Sequence, residues 1–206
     1  MQKASAVAVV LAGGGSRRMG RDKALLDWQG RPLLEHVLLR LRPVFEQVAV
    51  VGGRPEWVSL PEVLWIPDDQ PGAGAAAAIL TALRRRQQPC FVCACDMPFV
   101  HAEFGKWLVE SAPEAAAHVP RWKEQAHPLH AAWFPLAIPH LEQSLQTGER
   151  ALCHIVQRLA EAGTLVWAEE ETVRRFDAEG KCFINLNTPQ EWRQWAPFRK
   201  GGESAP

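Results

Sequence analysis

The sequence has no excess of charge of either sign, because 23 Lys and Arg residues are matched by 23 Asp and Glu residues. This balance leaves no basic field that would favour nucleic acid and no acidic excess typical of a solvating tail. Long apolar runs are also missing, since the N-terminal stretch Val7 to Ala12 is too short for a membrane span or a signal peptide. We therefore expect a cytoplasmic protein that binds neither nucleic acid nor membrane, and any phosphate binding must be local.

Cysteine is too scarce and too unevenly placed for a disulfide framework, since the chain has five and three of them fall in one short run. Cys93 and Cys95 would share one face of a strand and Cys90 the other, so the three cannot readily close a tetrahedral metal site. Buried thiols are expected instead. Tyrosine is absent beside nine tryptophans, and the helical spacing of Trp192 and Trp195 predicts a docking stripe rather than a stacking platform.

Linkers, fixed-period repeats and low-complexity segments are absent too, which predicts one domain over residues 1–199 and a disordered tail over 200–206. Short apolar runs alternate with helical patterns along the chain. This alternation predicts a three-layer α/β protein, with a mostly parallel twisted sheet and helices on both of its faces. The predicted strands are 7–11, 48–51, 63–66, 90–94, 115–120, 129–134 and 164–168, and the predicted helices are 32–41, 75–86, 103–110, 138–146 and 152–160.

A loop rich in glycine and arginine follows the first predicted strand and reads Leu-Ala-Gly-Gly-Gly-Ser-Arg-Arg-Met-Gly over residues 11–20. Glycine lets backbone N–H groups converge on a phosphate, because a Cβ would block positive φ angles and close approach. Ser16, Arg18 and Lys23 add hydroxyl and cationic donors. The loop is neither a P-loop, which needs Lys-Ser/Thr after its last glycine, nor a dinucleotide fingerprint, whose third glycine is replaced by Arg18. The alternative is an ordinary glycine turn with solvated arginines.

Two aspartates follow later strands of the predicted sheet. Asp68 begins the turn-rich loop 68–74 after the third strand, and Asp96 follows the fourth strand almost directly. Ligands of open parallel sheets collect outside the carboxyl ends of the strands, where the glycine loop and both aspartates fall. A triphosphate needs a divalent cation, and magnesium prefers one or two carboxylates plus phosphate oxygens, so Asp96 is the predicted Mg²⁺ ligand. The alternative for Asp96 is a cap or turn aspartate.

With these residues in place, most of the chain resembles the molybdenum cofactor guanylyltransferase family, a branch of the nucleoside-diphosphate-sugar pyrophosphorylase-like fold. The resemblance includes the glycine loop with Asp22-Lys23, Asp68 with Pro71-Gly72-Ala73-Gly74, and Cys95-Asp96-Met97-Pro98. It implies a Rossmann-like nucleotidyltransferase fold that binds GTP, molybdopterin and Mg²⁺. The loop and the resemblance together give Leu11, Ala12, Gly13, Gly14, Gly15, Ser16, Lys23, Asp68 and Asp96 as nucleotide-binding residues, and Arg18, Lys23 and Asp96 as catalytic residues.

The C-terminal half of the resemblance concerns the acceptor. His127-Pro128-Leu129 and Thr147-Gly148-Glu149-Arg150 are similar to segments of the family's acceptor half, and 183–189 is similar to its closing motif. His127 and His130 also have the spacing of a metal-binding pair, but no nearby acid or cysteine completes a set, which favours surface or acceptor-pocket histidines. The predicted acceptor-binding residues are His127, Pro128, Asn185 and Asn187.

Two segments depart from the family pattern. The loop after the second predicted strand reads Val50-Val51-Gly52-Gly53 where family members often carry asparagine, and this affects one contact to a base or ribose. The helix after the second loop begins Ala75-Ala76-Ala77-Ala78 where the family favours Pro-Leu-Ala-Gly. A methyl group at Ala78 changes how closely that helix can approach a nucleotide.

The expected reaction is transfer of GMP from GTP to molybdopterin, with molybdopterin guanine dinucleotide and pyrophosphate as products. The nucleophile is already an anionic phosphate oxygen, so no general base is needed and positioning with charge neutralisation suffices. Molybdoenzymes or other proteins of cofactor biosynthesis are the expected protein partners. Two alternatives stay open: a transferase of the same fold that uses CTP or a sugar 1-phosphate, and a non-catalytic nucleotide-dependent carrier of the cofactor.

Overall fold

One sheet of eight strands runs through the computed structural model, which describes residues 3–13 and 22–195. The strands are β1 (Ala4–Leu11), β2 (Asp27–Trp28), β3 (Arg31–Pro32), β4 (Phe45–Val51), β5 (Leu64–Ile66), β6 (Cys90–Ala94), β7 (Ala117–Trp122), β8 (Gln125–Ala126), β9 (His130–Trp133) and β10 (Leu165–Ala168). The helices are α1 (Leu33–Leu41), α2 (Ala75–Arg86), α3 (Ala102–Glu110), α4 (Ile138–Gln146), α5 (Leu152–Glu161), α6 (Glu170–Phe176) and α7 (Pro189–Trp195).

The strands follow the order β10-β7-β9-β6-β1-β4-β5 across the main sheet, with β8 paired to β7. β1 pairs in parallel with β4 and β6, β4 with β5, and β7 with β10. β9 runs antiparallel to both of its neighbours, and the short β8 runs antiparallel to β7. β2 and β3 form a separate antiparallel ribbon. The sheet is thus mostly parallel, as predicted, and its central strands read as apolar runs because both of their faces are covered.

Helices cover both faces of the sheet. Alternate side chains of β1, including Ala8 and Val10, are buried with residues of α1, α3 and α6. The intervening side chains Val7 and Val9 are buried on the other face with residues of α2, α4 and α5. Because successive strand residues point to opposite faces, one apolar strand serves two cores. The predicted three-layer α/β class is therefore confirmed.

The longer elements lie close to where the sequence pattern predicts them, and the differences are confined to their ends. The predicted strand 115–120 is observed as Ala117–Trp122, for example, and the predicted helix 103–110 as Ala102–Glu110. The pattern missed the β2–β3 ribbon, β8, α6 and α7. Each of these strands has two residues and each of these helices has seven. Such segments are too short for a period to give their bounds, although the helical spacing of Trp192 and Trp195 falls within α7.

The three clustered cysteines occupy the positions expected of buried thiols. Cys90 belongs to the core on one face of the sheet, and Cys93 belongs to the core on the other face, against which Cys95 packs. Burial raises the pKa of the Cys90 thiol to about 12, so it is protonated at neutral pH. In the described part of the chain, no helix is long and apolar enough to cross a membrane.

A small aromatic cluster attaches α7 to the rest of the fold. The ring of Trp28 packs edge-on against Trp192 and Phe99, with centroids 5.6 and 5.8 Å apart. Trp195 meets Phe99 in the same way at 5.6 Å. Edge-to-face pairs stabilise such a contact beyond the apolar area that they bury. Trp192 and Trp195 therefore form the predicted docking stripe.

His130 is buried completely, so its interpretation as a surface or acceptor-pocket histidine is wrong. The reason is that β9 begins at His130 and carries it into the core between β6 and β7. Its Nε2 accepts a hydrogen bond from the His101 N–H at 3.2 Å. The rings of Phe91, Phe104 and Phe183 surround it, with centroids 4.9 to 5.5 Å away. Loss of solvation lowers the pKa of His130 to about 3, which keeps the imidazole neutral in the folded protein.

The pH dependence of stability should therefore contain a contribution from His130. The unfolded chain takes up a proton near the ordinary pKa of 6.5 whereas the folded chain does not, so stability is lost as pH falls below that value. His130→Gln keeps an acceptor for the His101 N–H and removes the titration. Between pH 7 and pH 4, the free energy of unfolding measured in urea should fall less in the variant than in wild type, by on the order of 3 kcal/mol. Equal losses of the free energy of unfolding in both proteins would contradict the conclusion that His130 stays neutral when folded.

Candidate functional site

Three polar side chains from distant parts of the chain meet beside the carboxyl end of β6. The ammonium Nζ of Lys23 lies 3.0 Å from Oδ2 of Asp96 and 2.6 Å from Oδ1 of Asn187. Lys23 begins a 3₁₀ turn, Asp96 lies just after β6, and Asn187 lies just before α7. The side chains of Lys23 and Asp96 are 15% and 14% exposed, so the ion pair is mostly shielded and still reachable. The cluster offers a cation and a carboxylate to a ligand above the sheet edge.

Backbone hydrogen bonds fix the segments that carry this cluster. The N–H of Cys95 donates to the carbonyl of Leu11 at 3.1 Å, so the register of β1 and β6 continues up to the residue before Asp96. The N–H of Leu186 donates to the carbonyl of Asp96 at 3.0 Å. Asp96 is thus held between the end of β1 and the segment that leads into α7. This connection explains why Asp96 and Leu186, far apart in the sequence, come together at one edge.

The end of β1 lies against the turn after β4. Gly52 has a φ of 80°, and a Cβ on it would lie 3.2 Å from both Cα and N of Gly13. Its N–H donates to the carbonyl of Ile66, and its carbonyl accepts from Nε1 of Trp65, both at 3.0 Å. A larger residue at position 52 would therefore press on the start of the glycine loop. At this turn, where the sequence departs from the family pattern, two backbones lie in contact.

Asp68 faces the same edge from the loop that precedes α2. A Cβ on Gly13 would lie 3.9 Å from Oδ2 of Asp68, and Oδ1 of Asp68 accepts from the Gln70 N–H at 3.0 Å. The neighbouring Asp69 is turned toward α2, where its carboxylate pairs with Arg85 at 2.6 Å. Ala78, the second departure, is 4% exposed and belongs to the core on the α2 face. Its methyl group is accommodated in the core packing.

The expected nucleotide-binding residues are only partly covered by the structure. Gly14, Gly15, Ser16 and Arg18 lie outside the described residues. Leu11 and Ala12 are buried, so any contact of theirs with a nucleotide would come from the backbone. The roles predicted for these residues, and for Gly13, Lys23, Asp68 and Asp96, stay predictions.

The expected acceptor residues fall into separate surroundings. His127 stacks on the ring of Phe183 with centroids 4.0 Å apart, and Asn185 donates from Nδ2 to the carbonyl of Phe183 at 3.2 Å. Burial lowers the pKa of His127 to about 4, and its Nε2 is buried with no hydrogen-bond partner among the described residues. The carbonyl of Pro128 accepts from Nε1 of Trp133 at 3.1 Å. Asn187 contacts Lys23 instead, which sequence reasoning did not foresee.

The carboxylate of Asp96 suits a divalent cation that arrives with a phosphate ligand. Within residues 3–13 and 22–195, no group of three or more His, Cys, Asp or Glu side chains could hold a metal by itself. Magnesium is commonly held by one or two carboxylates and completes its shell with phosphate and water oxygens. A single partly exposed carboxylate just after the end of a strand fits that pattern. It does not fit a structural metal enclosed by protein ligands.

Comparisons with known proteins show the family to which the chain is similar. Residues 8–179 match the family model described as a MobA-like NTP transferase domain. The probable molybdenum cofactor guanylyltransferase of Methanosarcina mazei is 33% identical over 89% of this chain and 87% of that protein. The molybdenum cofactor guanylyltransferase of Xanthomonas euvesicatoria pv. vesicatoria is 35% identical over 89% and 90%, respectively.

Solved structures give the same result. The molybdopterin-guanine dinucleotide biosynthesis protein A of Archaeoglobus fulgidus superposes with a TM-score of 0.79 at 31% identity, covering 92% of this chain and 96% of that chain. The 2-C-methyl-D-erythritol 4-phosphate cytidylyltransferase of Thermus thermophilus has a TM-score of 0.63 at 19% identity, covering 90% and 95%. The second likeness shows the fold alone. The first extends over both the glycine-loop half and the C-terminal half.

Proposed function

The chain belongs to the family of MobA-like NTP transferases, and from this premise we propose that it transfers GMP from GTP to molybdopterin. The products are molybdopterin guanine dinucleotide and pyrophosphate. The observation that carries the proposal is the meeting of Lys23, Asp96 and Asn187 at the carboxyl end of β6. This cluster joins a residue from the nucleotide half of the family pattern to one from its closing motif.

The reaction needs little from the protein beyond position and charge. A phosphate oxygen of molybdopterin attacks the α-phosphorus of GTP, the bond from that phosphorus to the β-phosphate oxygen breaks, and its electron pair leaves with pyrophosphate. The nucleophile carries no proton that must be removed, so a general base is unnecessary. Lys23 is a preorganised cation beside the expected phosphate path, and it stabilises negative charge that develops on the leaving group. Arg18 adds a second cation in this proposal.

We assign Asp96 as the protein ligand of Mg²⁺. When bound, magnesium offsets the charge of the triphosphate and polarises its phosphoryl oxygens. In the structure Lys23 donates to Asp96 and neutralises it. An ammonium forms charge-assisted hydrogen bonds with phosphate oxygens as it does with a carboxylate, so in the proposed complex Lys23 shifts toward the phosphates and leaves the carboxylate available to the cation.

Other features of the chain support the remaining parts of the proposal, which concern its domain, its acceptor residues, its compartment and its partners. The main sheet runs without interruption from β5 to β10, which supports one domain over residues 1–199 with the nucleotide in its N-terminal part and the acceptor nearer its C-terminal part. His127, Pro128, Asn185 and Asn187 are the acceptor residues of this proposal. The cysteines of the described chain are free thiols, which agrees with a reaction in the reducing cytoplasm. Molybdoenzymes that receive the product are the protein partners we expect.

The function is tested by incubating the purified protein and Mg²⁺ with each NTP, with and without molybdopterin, and following pyrophosphate release. We expect release only when GTP and molybdopterin are both present, together with a product of the mass of molybdopterin guanine dinucleotide. Release with CTP or with a sugar 1-phosphate acceptor would instead identify a related transferase. Nucleotide binding without pyrophosphate release would identify a carrier.

Asp96→Asn tests the metal assignment. The substitution keeps the shape of the side chain and an oxygen for Lys23, so thermal stability should stay close to wild type. The variant should need much more magnesium and lose turnover by a factor of about a hundred or more, as expected for the loss of one preorganised electrostatic contact. Titration of activity against magnesium measures both effects. Wild-type magnesium dependence and turnover would show that Asp96 only caps the turn, a role that asparagine fills well.

Asn187→Ala tests the assignment to the acceptor. Removal of the amide should raise the KM for molybdopterin by about tenfold or more while the Kd for GTP changes by less than about threefold. Isothermal titration with GTP, combined with initial rates at varied molybdopterin, separates the two effects. Loss of GTP affinity with intact acceptor binding would contradict this assignment and make Asn187 a nucleotide-binding residue, like its hydrogen-bond partner Lys23 in this proposal.

A further inference from the structure

A capping box begins α7. Oγ1 of Thr188 accepts from the N–H of Glu191 at 3.2 Å, and Oε2 of Glu191 accepts from the N–H and the hydroxyl of Thr188 at 2.8 and 3.1 Å. Reciprocal bonds of this kind satisfy N–H groups that the first turn of a helix leaves without partners. Pro189 suits the first helical position, because its missing N–H is one of those groups. These contacts explain the start of α7 from its own sequence.

The same carboxylate makes one contact that the capping box does not require. Oε2 of Glu191 also accepts from the N–H of Asn187 at 2.7 Å, its shortest hydrogen bond. Asn187 precedes the capping residue and lies outside the helix. Its side-chain Oδ1 accepts a second hydrogen bond of this network, from Nζ of Lys23 at 2.6 Å. Hydrogen bonds therefore connect Glu191 to the Lys23–Asp96 pair through a single residue, and the charge of Lys23 also acts on Glu191 directly.

We propose that Glu191 is a positioning residue of the transferase site, which fixes the backbone of Asn187 so that the Asn187 amide holds Lys23 beside Asp96. This inference rests on the proposed function. Asn187 is exposed, whereas Leu186 before it is buried and bonded to the carbonyl of Asp96. The chain thus leaves the core at Asn187, and the carboxylate of Glu191 sets its direction there.

The charge of Glu191 suits this role. Burial acts to raise its pKa, but hydrogen bonds from Asn187 and Thr188 prevail and hold the pKa below the ordinary value. The group is therefore ionised at neutral pH, and its hydrogen bond to the Asn187 N–H is charge-assisted, which makes it stronger than a neutral one. A carboxylate near a helix N-terminus is also favoured by the helix dipole.

Glu191→Ala, with Thr188→Ala as its matched control, separates positioning from helix stability. Both substitutions remove part of the capping box, so both should lower Tm by similar amounts. Only Glu191→Ala removes the bond to the Asn187 N–H, and we expect it to lower kcat/KM for molybdopterin by about tenfold while Thr188→Ala stays within about twofold of wild type. Glu191→Gln keeps an oxygen acceptor but loses the charge, so it should recover part of the activity that Glu191→Ala loses. Equal losses of kcat/KM in both alanine variants would overturn the proposal.

A double-mutant cycle with Asn187→Ala identifies the route of the effect. If Glu191 acts through Asn187, the double variant should have the same kcat/KM as Asn187→Ala alone, because residues of one network are not additive. If the losses of kcat/KM in the two single variants multiply in the double variant, Glu191 acts by a route other than Asn187, and the inference is overturned. Protection of the Asn187 amide from hydrogen exchange, expected to be lost in Glu191→Ala and kept in Thr188→Ala, tests the same contact without turnover. Absence of pyrophosphate release by the wild-type protein would overturn the proposed function itself. That result is distinct from the outcomes of the mutant cycle and of the hydrogen-exchange measurement.

Discussion

The hydrogen bonds of one lysine ammonium hold the candidate site together. Nζ of Lys23 bridges Asp96 and Asn187, which lie 73 and 164 positions away in the sequence. An ammonium on a side chain that is only 15% exposed needs such partners, because a shielded charge without them costs far more than the pair gains in water. The hydrogen bonds of Lys23 therefore link three segments that are far apart in the sequence.

Polar contacts of this kind specify a geometry, and apolar burial beneath them supplies most of the free energy. Phe99 follows Asp96 by three positions, and Trp28 and Trp192 follow Lys23 and Asn187 by five. The rings of Phe99 and Trp192 both pack against the ring of Trp28 in the small aromatic cluster. Each segment that contributes a polar group thus also contributes an aromatic group to a common core. The cluster explains why a helix as short as α7 is stable at the edge of the domain.

The sequence predicts the framework of the site better than its internal contacts. Asp68 and Asp96 could be expected at one edge because parallel strands end together, a consequence of backbone topology that holds whatever the side chains do. The contact of Asn187 with Lys23 depends on where a seven-residue helix docks, and the helical spacing of Trp192 and Trp195 predicts a docking face without showing which part of the protein it meets. The signal that could have located α7 is the Thr-x-x-Glu capping box over residues 188–191.

The Lys23–Asp96 ion pair is electrically neutral, as is the chain as a whole at its formal charge. Lys23 and Asp96 cancel each other, so the cluster by itself presents no net field to a distant triphosphate. In the proposed function the triphosphate is recognised at short range, by backbone N–H groups of the glycine loop, by the Lys23 ammonium once it turns to phosphate, and by a cation that the freed carboxylate can hold. Because the two charges neutralise each other here and separate toward phosphate and cation in the proposed complex, Lys23 and Asp96 have to be understood as one unit. In this proposal Asn187, and behind it Glu191, hold Lys23 beside Asp96 and so contribute to the chemistry of the site.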